Sequence, residues 1–426
     1  MSNLVAVCAE NEIQSSLDVD VRRNPLVASR AERPKGERAR ELLRTRGVEV
    51  TPETFGTTPT NKLSLLRGIT DSFFPTKLEE SLYGDFHDAI QTSWRYADPL
   101  GTAAAARYNA FAEAIRTASP VSMPMAQHRG EGFLLCCSSG SAGLRFVERA
   151  ADELGRSISF AKNPNGEDIP YWPAMVVQWP SCGTEQKFYA NFLSTFDGTL
   201  GRGSYFKSLF RPTAKKETRP IYVMGLASIV NVGILFVSGA TSRNFHFDNS
   251  ERILAFLEEF MGRTGIPVVF TCTAPVYEQI VLMGSIFGSL SSGGTEEILW
   301  LDASSAFHAD ANLHLLNQSL MWEQTTHVPS AVLDCASACA HGSREALNVF
   351  YRLLHIAAVR KDKNDPEVLL PGVASTMKTQ SDQLQRVASY LTSFFSTKAA
   401  EGGTRKPDGS AWSDFLSLNV YRAMGV

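Results

Sequence analysis

The chain has 426 residues, of which 44% are hydrophobic and 20% charged, so it can bury a large core and we expect two or three domains. It has no apolar run of the ~20 residues that cross a bilayer and no basic, apolar signal peptide at its start, which predicts a cytoplasmic protein with no membrane partner. Seven cysteines without framework spacing predict reduced thiols, and a net charge of -3 excludes a global attraction to nucleic acid.

Two local segments are nevertheless basic. Residues 22–46 carry nine Lys or Arg, which predicts a mobile arm that is either a solvated tail or a contact to phosphate or a partner. The second segment, 201–220, interleaves Tyr205, Phe206 and Phe210 with cations that suit contact to a nucleic-acid backbone, a plain surface loop being the alternative. Its predicted DNA-binding residues are Arg202, Lys207, Arg211, Lys215 and Lys216.

Helices and strands alternate along the rest of the chain. Two helices are predicted first, over 73–96 and 103–119, the first of them beginning at Pro75-Thr76 with acidic residues in its first turn. Apolar strands follow, separated by helices, at 134–137, 174–179, 232–239 and 266–273. Strands that are apolar throughout predict a parallel sheet covered on both faces, and the helical pattern beyond 311 predicts an all-α lid.

These patterns divide the chain into five predicted parts. They are a basic, partly flexible arm (1–70), an N-terminal helical extension (71–130), an α/β core (131–310), a helical lid (311–395) and a C-terminal tail (396–426).

Residues 134–155 have the form of a phosphate-binding loop: an apolar strand, a turn of small residues and an amphipathic helix. A Walker A loop reads G-x-x-x-x-G-K-[ST], in which lysine neutralises phosphate and the hydroxyl binds Mg²⁺. Here the stretch from Cys137 through Gly140 and Ser141 ends in Gly143 at the lysine position and Leu144 at the hydroxyl position. A shift by one residue restores neither group.

The order of segments resembles the AAA+ transposition regulators of the TnsC/TniB type. The resemblance rests on FFPT at 73–76, the strand and helix at 134–155, the turn region 178–201, VGILFVSGATSRNF at 232–245, ERILAFLEEFMGRTGIPVVFTCTAP at 251–275 and the lid segment 320–360. It implies an AAA+ (P-loop-like) fold, namely a parallel-sheet sandwich with a helical lid and an N-terminal helical extension.

The departures from the family concern the groups that act on phosphate. A Walker B strand should end in two carboxylates, whereas ILFVSG ends in Ser238 and Gly239. From Thr264 through Ser343 there is no Lys or Arg, so an arginine finger cannot come from this span. Arg344 is predicted to lie on the surface at a helix start, the alternative being a mimic of the family's lid sensor.

Together these losses predict a pseudo-ATPase with no catalytic residue and no cofactor. They do not decide whether the protein binds a nucleotide weakly without hydrolysing it. The resemblance then implies an adaptor or scaffold in DNA transposition. Its partners would be a transposase, a target selector or an active AAA+ paralogue of a mobile genetic element, in a homo- or hetero-oligomer, with weak and non-specific contact to DNA. An interaction module in another pathway is the alternative.

Two rival chemistries use other residues. The stretch 139–143 approximates the G-x-S-x-G nucleophile elbow, with Ser141 as nucleophile and Asp302 plus His308 or His341 as the partners in the correct order. Cys335, Cys339 and His341 lie close in the sequence, but without a second Cys/His pair they predict core thiols and no metal site.

Overall fold

The computed structural model describes residues 24–29, 32–117, 122–138, 142–201, 203, 219–298 and 306–400. Its centre is a six-stranded sheet in the order β2-β3-β4-β5-β1-β6, in which only β2 and β3 are antiparallel neighbours. The strands are β1 Gly132–Cys137, β2 Ser159–Lys162, β3 Asp168–Gln178, β4 Val232–Ala240, β5 Val268–Cys272 and β6 Gly294–Ile298. The protein is therefore an α/β protein with a mostly parallel sheet, which confirms the coarse fold prediction.

Helices precede, separate and follow the strands. Those before the sheet are α1 Pro25–Ala28, α2 Glu37–Leu43, α3 Pro52–Phe55, α4 Pro59–Leu65, a 3-10 turn Leu66–Asp71, α5 Lys77–Tyr96 and α6 Thr102–Thr117. Those between the strands are α7 Gly143–Leu154, α8 Glu185–Leu200, α9 Arg219–Ile229, α10 Phe247–Thr264, α11 Ala274–Val281 and α12 Ser285–Leu290. The lid consists of α13 Ala306–Leu316, α14 Ser330–Ala340, α15 Arg344–Lys361, a 3-10 turn Glu367–Leu369 and α16 Leu370–Ala400.

Each face of the sheet has its own hydrophobic core. On one face, α5 and α7 pack through Phe86, whose ring lies 5.3 Å from that of Phe133 and 6.1 Å from that of Phe146. On the other face, α6 and α8 to α12 enclose Trp179 and Phe270, whose ring centroids are 5.4 Å apart. Burial of large aromatic side chains on both faces is what an apolar parallel sheet requires.

A third core joins the lid to the segment that precedes α5. We call residues 44–76 the strap, because this segment lies between the lid and the α/β core. Val48 and Ile69 of the strap are buried together with Leu315, Phe350 and Tyr351 of the lid. The strap and the lid are thus one packing unit.

The basic segment 22–46 is not a free arm in its described part. Leu26 and Leu43 are fully buried against the α/β core. Arg33 forms ion pairs with Asp85 and Asp88 of α5. Arg40 pairs with Glu80 of the same helix at 2.5 Å and with Glu37 at 3.1 Å. Acidic partners in the same chain therefore neutralise two of the nine cations that the sequence suggested were available to phosphate.

The chain reverses its direction across the sheet beside β1. From β1 it crosses to β2 and β3 at one end of the sheet, whereas from β5 it passes over β1 to β6 at the other end. In open α/β sheets, ligands bind outside the carboxyl ends of strands at such a switch point. The carboxyl ends of β1 and β5 are therefore where a functional site is expected.

Candidate functional site

The loop after β1 lies at this switch point. Ser138 follows the strand, and its backbone N–H donates to the carbonyl of Ile298 at 3.1 Å. Gly140 and Ser141 lie outside the described residues, so the turn itself is not described. Helix α7 begins at Gly143 after Ala142, which has the left-handed backbone (φ +61°) that alanine rarely adopts. Leu144, at the position of the Mg²⁺-binding hydroxyl, is 50% exposed.

The end of β4 lies at the same edge of the sheet, with β5 between it and β1. Ser238 is buried, and its carbonyl accepts from the backbone N–H of Trp179 at 2.7 Å. Gly239 has φ +89°, in a stretch where the pairing with β5 shifts register. A glutamate at position 239 would be strained there, so the backbone itself has departed from a regular strand that ends in carboxylates.

The strap fills the cleft between the sheet edge and the lid. The space that is left there amounts to about 20 Å³, enough for a single water molecule. It is bounded by Ser72, Phe73 and Phe74 of the strap, by Ala142 beside the loop, and by side chains of α13 and α15. A nucleotide placed between the loop and the lid would have to displace this segment.

A buried ion pair closes the cleft. Arg344 at the start of α15 donates to both carboxylate oxygens of Glu79 in α5, at 2.6 and 2.9 Å. Its side chain is 8% exposed and that of Glu79 is fully buried. The guanidinium also lies 5.3 Å from the ring centroid of Phe73. The prediction of a surface arginine at position 344 is therefore wrong, because the strap and α5 cover the start of α15.

Glu79 also caps the N-terminus of α5. Its carboxylate accepts from the backbone N–H of Thr76 at 2.7 Å, and the Thr76 hydroxyl accepts from the backbone N–H of Glu79 at 3.2 Å. This capping box fixes the FFPT segment relative to α5. Burial, with a smaller contribution from the Glu79 carboxylate, raises the pKa of the Cys137 thiol to about 12. The ion pair therefore lies beside the residue at which the Walker A-like stretch begins.

Polar side chains hold the strap from both sides. Arg145 in the first turn of α7 and Asn348 in α15 donate to the same two carbonyls of the strap, those of Thr70 and Ser72. The core and the lid are thus both hydrogen-bonded to the same turn of the strap, at Thr70 and Ser72.

The lid contributes a further set of contacts to the strap. The buried Gln318 accepts from the backbone N–H groups of Gly47 and Val48, at 2.9 and 3.1 Å, and from the Ser72 hydroxyl at 2.8 Å. His314 donates to the carbonyl of Thr45 at 2.9 Å. Buried hydrogen bonds of this kind are costly to leave unmade, so the strap is fixed and not merely adjacent.

Sequence reasoning singled out Arg344 but predicted it on the surface, and it did not identify the other residues that close the cleft. A local signal existed for Glu79, because Thr76 and Glu79 have the spacing of a capping box. For Arg145, Gln318 and Asn348 no local pattern distinguishes these side chains from surface polar residues.

The predicted DNA-binding residues Arg202, Lys207, Arg211, Lys215 and Lys216 all lie outside the described residues. So do Ser141 and Asp302 of the hydrolase hypothesis. Its two histidines have other partners, since His308 contacts Asn312 and His341 contacts Ser381 at 2.9 Å. No observation on the described residues therefore favours the hydrolase.

Cys335 and Cys339 are part of the lid. Burial raises the pKa of both thiols, that of Cys339 to about 12, which disfavours the thiolate form that binds metals. Within the described ranges, no group of three or more His, Cys, Asp or Glu side chains is arranged to hold a metal ion.

The fold and the cleft define the class of this protein only as an α/β protein whose core and lid are joined by its own strap. No known family model matches the chain, and no curated protein matches it. Among the helices of the described segments, none is both long enough and apolar enough to span a membrane.

Proposed function

We propose that this protein is a non-hydrolysing, AAA+-like adaptor that works as a rigid scaffold. The observation that carries the proposal is the cleft at the switch point, which the strap and the Arg344–Glu79 ion pair fill. A protein that must bind and release a nucleotide at this cleft would leave it open, whereas a scaffold gains stability from closing it.

Several features support the AAA+ part of the proposal. A stretch with a Walker A-like sequence pattern follows the strand β1, which lies between β5 and β6, and residues of the lid helices α13 and α15 line the cleft together with Ala142. The sequence resembles TnsC/TniB-type regulators in the order of its segments. The strap ends in the FFPT segment, which is one of the segments on which this resemblance rests.

Electrostatics supports the absence of hydrolysis. Phosphoryl transfer needs cations around the transferred group and carboxylates that hold Mg²⁺ and orient water. Positions 143, 144, 238 and 239 carry none of these groups. Arg344 of the lid, which borders the same space as Ala142 beside the loop, is already neutralised by Glu79.

Because of the resemblance, we propose that this scaffold acts in DNA transposition or a related mobile-element process. It would bridge a transposase, a target selector or an active AAA+ paralogue, as a homo- or hetero-oligomer. AAA+ subunits pack side by side through surfaces that do not depend on catalysis, so a subunit with a closed cleft can still cap, nucleate or connect an assembly.

Two measurements test the proposal. Titration with a fluorescent ATP analogue should show no tight binding, and light scattering coupled to size-exclusion chromatography should show assembly with a transposition protein encoded near this gene. A variant with Gly143→Lys and Leu144→Thr should still fail to bind the analogue, because the strap stays in the cleft. Tight binding to the unmodified protein would overturn the closed-cleft argument. The adaptor role would be overturned if the protein stayed monomeric and bound none of the transposition proteins encoded near its gene.

A further inference from the structure

We draw no further inference here: the strongest candidate, the polar cavity of about 170 Å³ beside the N-terminal ends of α8, α9 and α10, combines the N-terminus of α8 with the side chains of Arg219 and Arg252, and no second observation among the described residues points to a ligand there.

Discussion

At the scale of single residues, the cleft is closed by the buried Arg344–Glu79 ion pair. Arg344→Ala should lower the free energy of unfolding by about 3–5 kcal/mol, because it leaves the fully buried Glu79 carboxylate without a cation. The double variant Glu79→Gln, Arg344→Met should recover much of this loss, since no buried charge is left. Urea denaturation measures both. Lys162→Ala, which breaks an exposed pair with Asp168, is the control and should cost about 1 kcal/mol at most.

Arg107 in α6 is also a buried arginine, but unlike Arg344 it has no carboxylate partner among the described residues. It is 5% exposed, its Nε has no hydrogen-bond partner, and no ion pair with a described residue compensates it. Burial accordingly lowers its pKa. Arg107→Met should raise the free energy of unfolding by about 1–2 kcal/mol, because it removes an uncompensated buried charge. Arg116→Met on the exposed face of the same helix is the control and should leave the free energy of unfolding nearly unchanged. Destabilisation by Arg107→Met would show that the guanidinium has a partner in solution.

At the scale of elements, the lid should make stability depend on pH. Burial lowers the pKa of His314 and of His355 to about 4. In the unfolded chain both titrate near 6.5, so below that pH the unfolded chain takes up protons that the folded protein does not. The free energy of unfolding should therefore fall as the pH falls from about 6.5 to about 4, by up to about 3 kcal/mol for each histidine.

Urea denaturation at pH 7, 6 and 5 checks this dependence. In His355→Gln the loss between pH 7 and 5 should be smaller, since one of the histidines whose pKa is lowered by burial is no longer present. An equal loss in both proteins would contradict the assignment of the pH dependence to these histidines.

The strap also shows why glycine is required where two elements touch. Gly47 and Gly68 lie back to back, so a Cβ on Gly47 would come within 1.7 Å of the Gly68 carbonyl oxygen. This contact closes the strap on itself and presents Gly47 and Val48 to Gln318. A side chain at either glycine would force the two backbone segments apart and remove the strap from the lid.

At the scale of the whole molecule, the charge distribution bears on DNA binding. The cations Arg33 and Arg40 are paired with carboxylates, and the segment that contains Arg202, Lys207, Lys215 and Lys216 stays the predicted contact. If about four to six phosphates are neutralised, the logarithm of the affinity should fall with that of the salt concentration with a slope of roughly -4 to -5. Binding should not depend on the DNA sequence, because the amino-acid sequence has no recognisable base-reading pattern.

Fluorescence anisotropy with random duplex DNA at several salt concentrations measures this slope. Alanine at Arg202, Lys207, Lys215 and Lys216 should flatten it, and alanine at Arg33 and Arg40 is the matched control that should leave it unchanged. Full affinity in the first variant would exclude this segment as the contact.

Local sequence patterns were enough to predict the central strands of the sheet, but they did not predict its edge strands. β1, β3, β4 and β5 are apolar runs, and such runs are recognisable because a strand buried on both faces has no polar alternation. The edge strand β2 has only four residues, and β6 contains two charged residues, Glu296 and Glu297. Charges suit an edge strand because they oppose pairing with another chain, but they hide it from a pattern of hydrophobicity.

The sequence by itself determined which chemical groups the loop after β1 and the end of β4 lack, because a missing lysine or carboxylate is a property of one position. Only the tertiary structure decided what occupies the cleft instead. Glu79 and Arg344 are separated by 265 residues, and the strap reaches the lid through Gln318 from a similar distance along the chain. Whether such side chains are solvated or buried depends on which elements pack together, and no local pattern encodes that.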